Sequence, residues 1–316
     1  MWEALKSIVP LALTYTTLLL VVAMGGLYSE RSGVVNIGLE GLMGFGAFAA
    51  AYFIAETYGQ MGDIAIWLGL AAGALAGGAF SLLHAVACVT MRANQVVSGT
   101  AINILSSAVT IYLARSLTGS ANILIIKGLI RGSVPVLSHL PVLGPLLFTN
   151  VHSTTFLALA IVLISWYVIY HRPFGLRLRA CGENPHAADS MGVNVYRMRY
   201  IGVILSGVLS GLGGAIFIVT YAGEFSPLVY SGLGFLAIAA LIFGKWKPWG
   251  VLGASLFFGM AKTVADMSRL FGGLKDMPNI IFNTFPYIAT IIALVLFSKN
   301  AAGPRAAGEP YDVGKR

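Results

Sequence analysis

The feature that most constrains this chain is a succession of apolar runs separated by short polar turns. A bilayer core of about 30 Å is spanned by about 20 helical residues. Runs of that kind lie at 7–27, 34–55, 64–90, 96–117, 152–171, 200–222, 229–244, 248–267 and 278–298. The run at 229–244 is short, and 136–148 (VLSHLPVLGPLLF) is a tenth element if it dips into the membrane. In lipid, every backbone N–H and C=O needs a partner within its own segment, so such runs fold as helices. The expected fold is an all-α polytopic membrane protein of nine to ten transmembrane helices.

Composition agrees with this and removes other classes. Only 10% of the 316 residues are charged and 57% are hydrophobic, against about 25% charged in soluble domains. An ordinary soluble enzyme, a disordered chain and a nucleic-acid-binding domain are excluded. The net charge of +8 reads as topogenic. With the polar loop 172–199 in the cytoplasm, that side gathers Arg31, Arg92, Arg172, Arg177, Arg179, Arg197, Arg199, Lys245, Lys247 and the Lys and Arg of the tail. Lys6, Lys127, Arg131, Arg269 and Lys275 fall outside. This asymmetry places the N-terminus outside and the C-terminus inside, with the N-terminal side depending on whether 136–148 enters the membrane. The N-terminal MWEALKSIVP lacks an A-x-A site and reads as the start of a retained first span.

Residues 1–298 are expected to form one transmembrane domain, with an outer loop at 118–151 and a cytoplasmic loop at 172–199. Residues 299–316, rich in Gly, Pro and charge, are expected to be a disordered cytoplasmic tail. Small residues recur every four positions at Gly69, Gly73 and Gly77 and at Gly207, Gly211 and Ala215. They read as helix packing stripes. Cys88 and Cys181 fit no metal spacing, and a disulfide between an apolar run and a polar loop is not expected. His84, alone in an apolar span, reads as a packed neutral histidine in preference to a ligand or proton relay.

Three polar constellations stand out. In the cytoplasmic loop, Asn184 suits a helix N-cap, Pro185 the first helical position and Gly192 the residue beyond the end. A slim helix over Pro185–Met191, with Ala187 and Ala188 on it, suits a groove on another protein, although a loop that is merely helical has the same pattern. At Ser29–Gly41 (SERSGVVNIGLEG), Gly33, Gly38 and Gly41 interrupt the start of the second span, so that helix is expected to be broken. Asn36 and Glu40 lie four apart on one face. They either line a polar path beside the break or pair with buried partners for structure. At Gln95–Asn103 (QVVSGTAIN), Ser98, Thr100 and Asn103 offer uncharged hydrogen-bonding groups to a neutral solute, although Ser and Thr in spans commonly bond their own backbone. No G-x-x-x-x-G-K-[ST] occurs, so ATP hydrolysis by this chain is not expected, and no catalytic motif is found.

On these residues the sequence resembles a known family. SERSGVVNIGLEG, RACGENPHAADSMGV at 179–193, QVVSGTAIN and GLGFLAIAALIFGKWKPWG at 232–250 are similar to permease subunits of bacterial nucleoside ABC importers. The form at 29–41 is similar to the shorter of two paired permeases. These belong to a broad group that also serves ribose-type sugars and branched-chain amino acids. The resemblance implies a multi-pass permease of the bacterial cytoplasmic membrane, paired with a second permease chain. It further implies a cytoplasmic P-loop ATPase that holds the ATP and Mg, with no cofactor on this chain, and an extracytoplasmic binding protein or lipoprotein that delivers a nucleoside. Carried over residue by residue, Arg179, Gly182, Glu183, Asn184, Pro185, Ala187, Ala188, Asp189 and Gly192 couple to the ATPase. Asn36, Glu40, Ser98, Thr100 and Asn103 remain the path candidates. A simple-sugar permease is the alternative within the class. An ion-coupled carrier acting alone, with Glu40 as its carboxylate, and a membrane scaffold are alternatives outside it.

Overall fold

The first apolar run folds as one long helix, α1 (Trp2–Arg31), and stops where Gly33 takes φ +93°. An irregular stretch, 32–38, then leads to α2 (Leu39–Met61). The computed structural model describes residues 2–135, 137–141, 144–227, 229–267, 284, 288, 303–312 and 314. The further helices are α3 (Ile64–Ala85), α4 (Gln95–Thr118), α5 (Ser153–His171), α6 (Pro173–Glu183), α7 (Pro185–Ser190), α8 (Val195–Phe217), α9 (Leu233–Phe243) and α10 (Pro248–Met267). Wider π turns at Val86–Thr90 and Ile218–Ala222 extend α3 and α8. Strand β1 (Ile123–Leu124) pairs antiparallel with β2 (Glu224–Phe225).

Six helices among the described residues are long and apolar enough to cross a membrane. They correspond to the first six runs read from the sequence. The run at 229–244 becomes the 11-residue α9, about 16 Å at 1.5 Å per residue, half a bilayer core. α10 takes the run at 248–267. The run at 278–298 lies outside the described residues, apart from the helical positions 284 and 288. Among the described residues of stretch 136–148, short turns form at Leu137–His139 and Gly144–Phe148.

α1 sits in the middle of the bundle, with Leu18 to Met24 almost wholly enclosed by α8, α9 and α10. The two glycine stripes meet. A Cβ on Gly73 would lie 2.7 Å from the Ala215 Cβ and 2.8 Å from the Gly46 carbonyl oxygen, and Gly77 faces Gly207 and Gly211 as closely. Any larger side chain there would drive α2, α3 and α8 apart, which is why these stripes hold only Gly and Ala.

The charges separate to opposite ends. Arg31, Arg92 and Arg199 cluster with α6, α7 and residues 303–312 at one end. At the other, Lys127 pairs with Asp63 at 2.8 Å and, by hydrogen bonding, holds that carboxyl below its ordinary range. The sequence reading took 299–316 as a disordered tail. Instead, residues 303–312 are seated against the bundle, with Ala306 and Tyr311 buried. One methyl group and one aromatic ring carry little sequence signal, yet they fit clefts that the helices already form.

Candidate functional site

The break before α2 enters the bundle deeply. Asn36 Nδ2 donates to Ser206 Oγ at 2.9 Å, eleven residues, about 16 Å, into α8. Asn36 Oδ1 accepts from the Gly38 N–H at 3.0 Å. Both polar ends of this buried amide are therefore occupied by protein. Asn103 acts in the same way from α4: its Oδ1 accepts from the Gly41 N–H at 2.7 Å, and its Nδ2 donates to the Ile37 carbonyl at 3.1 Å. Ser106 Oγ donates to the Gly41 carbonyl. The backbone groups that an unwound segment leaves open are thus answered by side chains, as a segment at membrane depth requires.

Glu40 sits where this segment meets α9. Its Oε2 accepts from the N–H of Gly232 at 3.0 Å and of Phe235 at 3.4 Å. A carboxylate on the open N–H groups of a helix start is favoured by hydrogen bonding and by the helix dipole. A Cβ on Gly234 would collide with the Glu40 backbone, so only glycine lets α9 begin there. The other end of α9 is held by the end of α1. Arg31 donates from Nε and Nη2 to the Trp246 carbonyl at 3.0 and 2.7 Å, and Trp246 Nε1 donates to Glu30.

The remaining path candidates divide. Ser98 Oγ meets His84 Nδ1 at 2.9 Å, while His84 Nε2 lies 3.2 Å from the Val35 carbonyl. His84 is thus a buried support of the break, donating from Nε2 and accepting at Nδ1. Thr100 faces outward and bonds the Val97 carbonyl of its own helix. Asn36, Glu40, Ser98 and Asn103 are therefore gathered on one junction, and Thr100 is not. The sequence reading passed over Gln95, whose Oε1 accepts from the Val35 N–H at 2.6 Å, along with Ser206 and Ser106. Gln95 was visible as a polar residue opening an apolar span. The two serines, in glycine-rich or polar helix faces, gave no separable signal.

At the end of the bundle that gathers Arg31, Arg92 and Arg199, α6 and α7 form a bent pair. Asn184 Oδ1 accepts from the Ala187 N–H at 3.0 Å, capping α7. Pro185 takes the first helical position, and Gly192 follows at φ +80°. α7 ends at Ser190, one residue before the expected Met191. Residues 173–183, read as loop, are helical because Pro173 starts α6 and its buried face, Gly175, Leu178 and Cys181, packs inward. Glu183, Asn184 and Ala187 are exposed, Arg179 and Asp189 half-buried, and Gly182, Pro185 and Ala188 buried. Between α6 and α7 lies an apolar groove of about 480 Å³, bordered by Leu176, Ala187, Ala188 and Met191. Leu176 is 62% and Met191 84% exposed, unusual for such side chains outside a membrane span. Two are gathered at one groove, which makes it a candidate contact surface.

Groove and junction are joined. Gly182 approaches the Arg31 carbonyl so closely that a Cβ would collide with it. Arg31 Nη1 lies 4.0 Å from Glu183. Gly33 packs on the Cys181 carbonyl and the Arg199 guanidinium. Cys181 is fully buried, and burial pushes its thiol up to about 11.

A family model described as "branched-chain amino acid transport system / permease component" matches residues 9–295. The chain is 47% identical over 315 residues to the guanosine ABC transporter permease protein NupQ of Bacillus subtilis, covering 99% of each chain. It is 43% identical over 313 residues to the nucleoside ABC transporter permease protein NupC of Lactococcus lactis, again covering 99% of each. A second Bacillus subtilis protein, the guanosine ABC transporter permease protein NupP, is 26% identical over 238 residues, covering 74% of this chain and 67% of the relative.

Proposed function

This chain belongs to the permease-component family of branched-chain amino acid-type transport systems, and we propose that it is a membrane subunit of an ATP-driven nucleoside importer. The observation that carries the substrate is the end-to-end likeness to two permeases named for guanosine and nucleoside. The presence in Bacillus subtilis of two such permeases, both similar to this chain, supports pairing with a second, longer permease. The chain is a multi-pass protein of the cytoplasmic membrane.

In this reading a partner P-loop ATPase binds ATP and Mg and docks on the α6–α7 groove, while an extracytoplasmic binding protein delivers the solute to the opposite face. Closure of the ATPase moves α7. Glu183 and Gly182 pass that displacement to Arg31 and Gly33, and hence to the unwound stretch 33–38. Because Glu30, Arg31 and Glu40 grip both ends of α9, α9 moves with the stretch. The polar groups of Asn36 and Asn103 are used within the protein, so they shape the path by holding its wall. Glu40, half-exposed at the start of α9, is the group with an acceptor oxygen left for a ribose hydroxyl or a base N–H.

The test is uptake of labelled guanosine by cells with and without this gene, alongside cells lacking the partner ATPase. Loss of uptake in both deletions is expected. Unchanged uptake in either, with the remaining subunits expressed, overturns the reading.

A further inference from the structure

The structure assigns residues 303–312 a role as a strap that positions α7 against the unwound stretch before α2, with Arg199, Tyr311 and Asp312 as its positioning residues. The positioning role rests on this chain being an importer subunit. The strap itself rests on geometry alone.

Ten residues cross the cytoplasmic ends of nearly every element that surrounds the junction. Gly303 lies on the Trp246 ring between α9 and α10, where a Cβ would come within 3.1 Å. The Ala306 N–H donates to the Gly182 carbonyl at 2.8 Å, at the end of α6. Gly308, at φ +89°, passes nearest Val35 of the unwound stretch. Arg199 Nη1 of α8 donates to the Glu309 carbonyl at 2.9 Å. The Tyr311 ring lies 5.2 Å from His186 of α7 and 5.4 Å from Tyr196 of α8. Asp312 pairs with Arg92, in the α3–α4 turn, at 2.9 Å. Tyr311 shares one buried cluster with Cys181, Ala188 and Val195, so α6, α7 and α8 close over a ring that belongs to none of them.

Arg199 is the one costly feature of this seat that the contacts above do not answer. It is 1% exposed, yet its Nε and Nη2 have no hydrogen-bond partner among the described residues. A buried cation with open donors is costly, and lifting the strap returns it to water. That gain acts against the lost Tyr311 burial and the lost Glu309 hydrogen bond. An element of that kind yields to a small displacement of α7 and resets it afterwards.

The test uses the complete importer in native membranes. Maleimide labelling of Cys181 is followed by mass spectrometry of its peptide, together with guanosine uptake and the amount of ATPase that co-purifies. Tyr311→Ala is expected to speed Cys181 labelling tenfold or more, and to lower uptake severalfold with the ATPase still bound. Asp312→Arg is expected to do the same to a smaller degree, and Arg92→Asp with Asp312→Arg to restore both readings. Cys181 protected equally in all variants would show that the strap is not seated. Exposed Cys181 with undiminished uptake would show a strap that positions nothing. Loss of the ATPase in step with uptake would make the segment part of the docking surface, which also overturns the proposal. If the unaltered complex takes up no guanosine, the substrate reading fails alone. The labelling series and the ATP hydrolysis rate of the complex, expected to change severalfold in Tyr311→Ala and to recover in the double charge reversal, then decide the strap.

Discussion

The Glu40 carboxylate accepts the Gly232 N–H at 3.0 Å, joining two interrupted segments that are 192 residues apart in the chain. Glu40 begins one helix and caps another. Three residues beyond the last residue of α9, at Trp246, the far end of that helix is tied to Glu30 and Arg31. α9 is therefore bracketed by the α1–α2 turn, and the pair behaves as one mechanical unit.

Glu40→Ala is expected to abolish uptake while the protein still inserts. The loss of a charged helix cap is worth about 1–2 kcal/mol, too little to unfold a bundle of this size but enough to free the start of α9. Glu40→Gln keeps an acceptor and should retain a measurable fraction of uptake. Equal uptake by Glu40→Ala and the unaltered protein would remove Glu40 from the working junction.

Two glycines in one loop should behave oppositely. A Cβ on Gly182 meets the Arg31 carbonyl, whereas one on Gly192 meets nothing within 4 Å and only strains the left-handed backbone at φ +80°. Gly182→Ala should lose uptake and thermal stability together. Gly192→Ala should cost about 1–2 kcal/mol, the price of a left-handed L-residue, and keep most uptake. Uptake rates and melting curves of the two variants decide it; matched behaviour would mean that Gly182 transmits nothing.

The order of these elements was legible because lipid forces long apolar helices, and because Asn184, Pro185 and Gly192 each have a local reason for their place. The break at 32–38 was legible for the same local reason, from Gly33 and Gly38. What Asn36, Asn103 and Glu40 bond was not, since their partners Ser206, Gly41 and Gly232 are distant in sequence and two of them act only through backbone N–H groups. Nor was the seat of 303–312, which depends on clefts that exist only after α6, α7 and α8 have packed.

The groove between α6 and α7 should lose its partner when its exposed apolar rim is charged. Met191→Glu and Leu176→Glu change side chains that are already in water, so folding should be unaffected. Affinity capture of the ATPase is expected to fall at least tenfold, about 1.4 kcal/mol or more. Full capture with both substitutions present would place the docking surface elsewhere.

An acid-sensitive closure is expected at His152, the residue that immediately precedes α5. Its Nε2 accepts from Arg131 Nε at 3.2 Å, and its Nδ1 is buried. Beside it, Gly132 and Val151 exchange both backbone hydrogen bonds, closing the loop. Burial, with the Arg131 charge second, pushes the imidazole down to about 4 from an ordinary 6.5. Between those values the unfolded chain binds the extra proton, so His152 contributes full stability above pH 6.5 and loses it as pH falls toward 4. His152→Gln keeps an acceptor that cannot be charged in this range. Melting temperatures taken at pH 7 and pH 5 should therefore drop further in the unaltered protein than in His152→Gln, and amide exchange at 132 and 151 should rise with the drop. Parallel curves for the two proteins would show that the proton goes elsewhere.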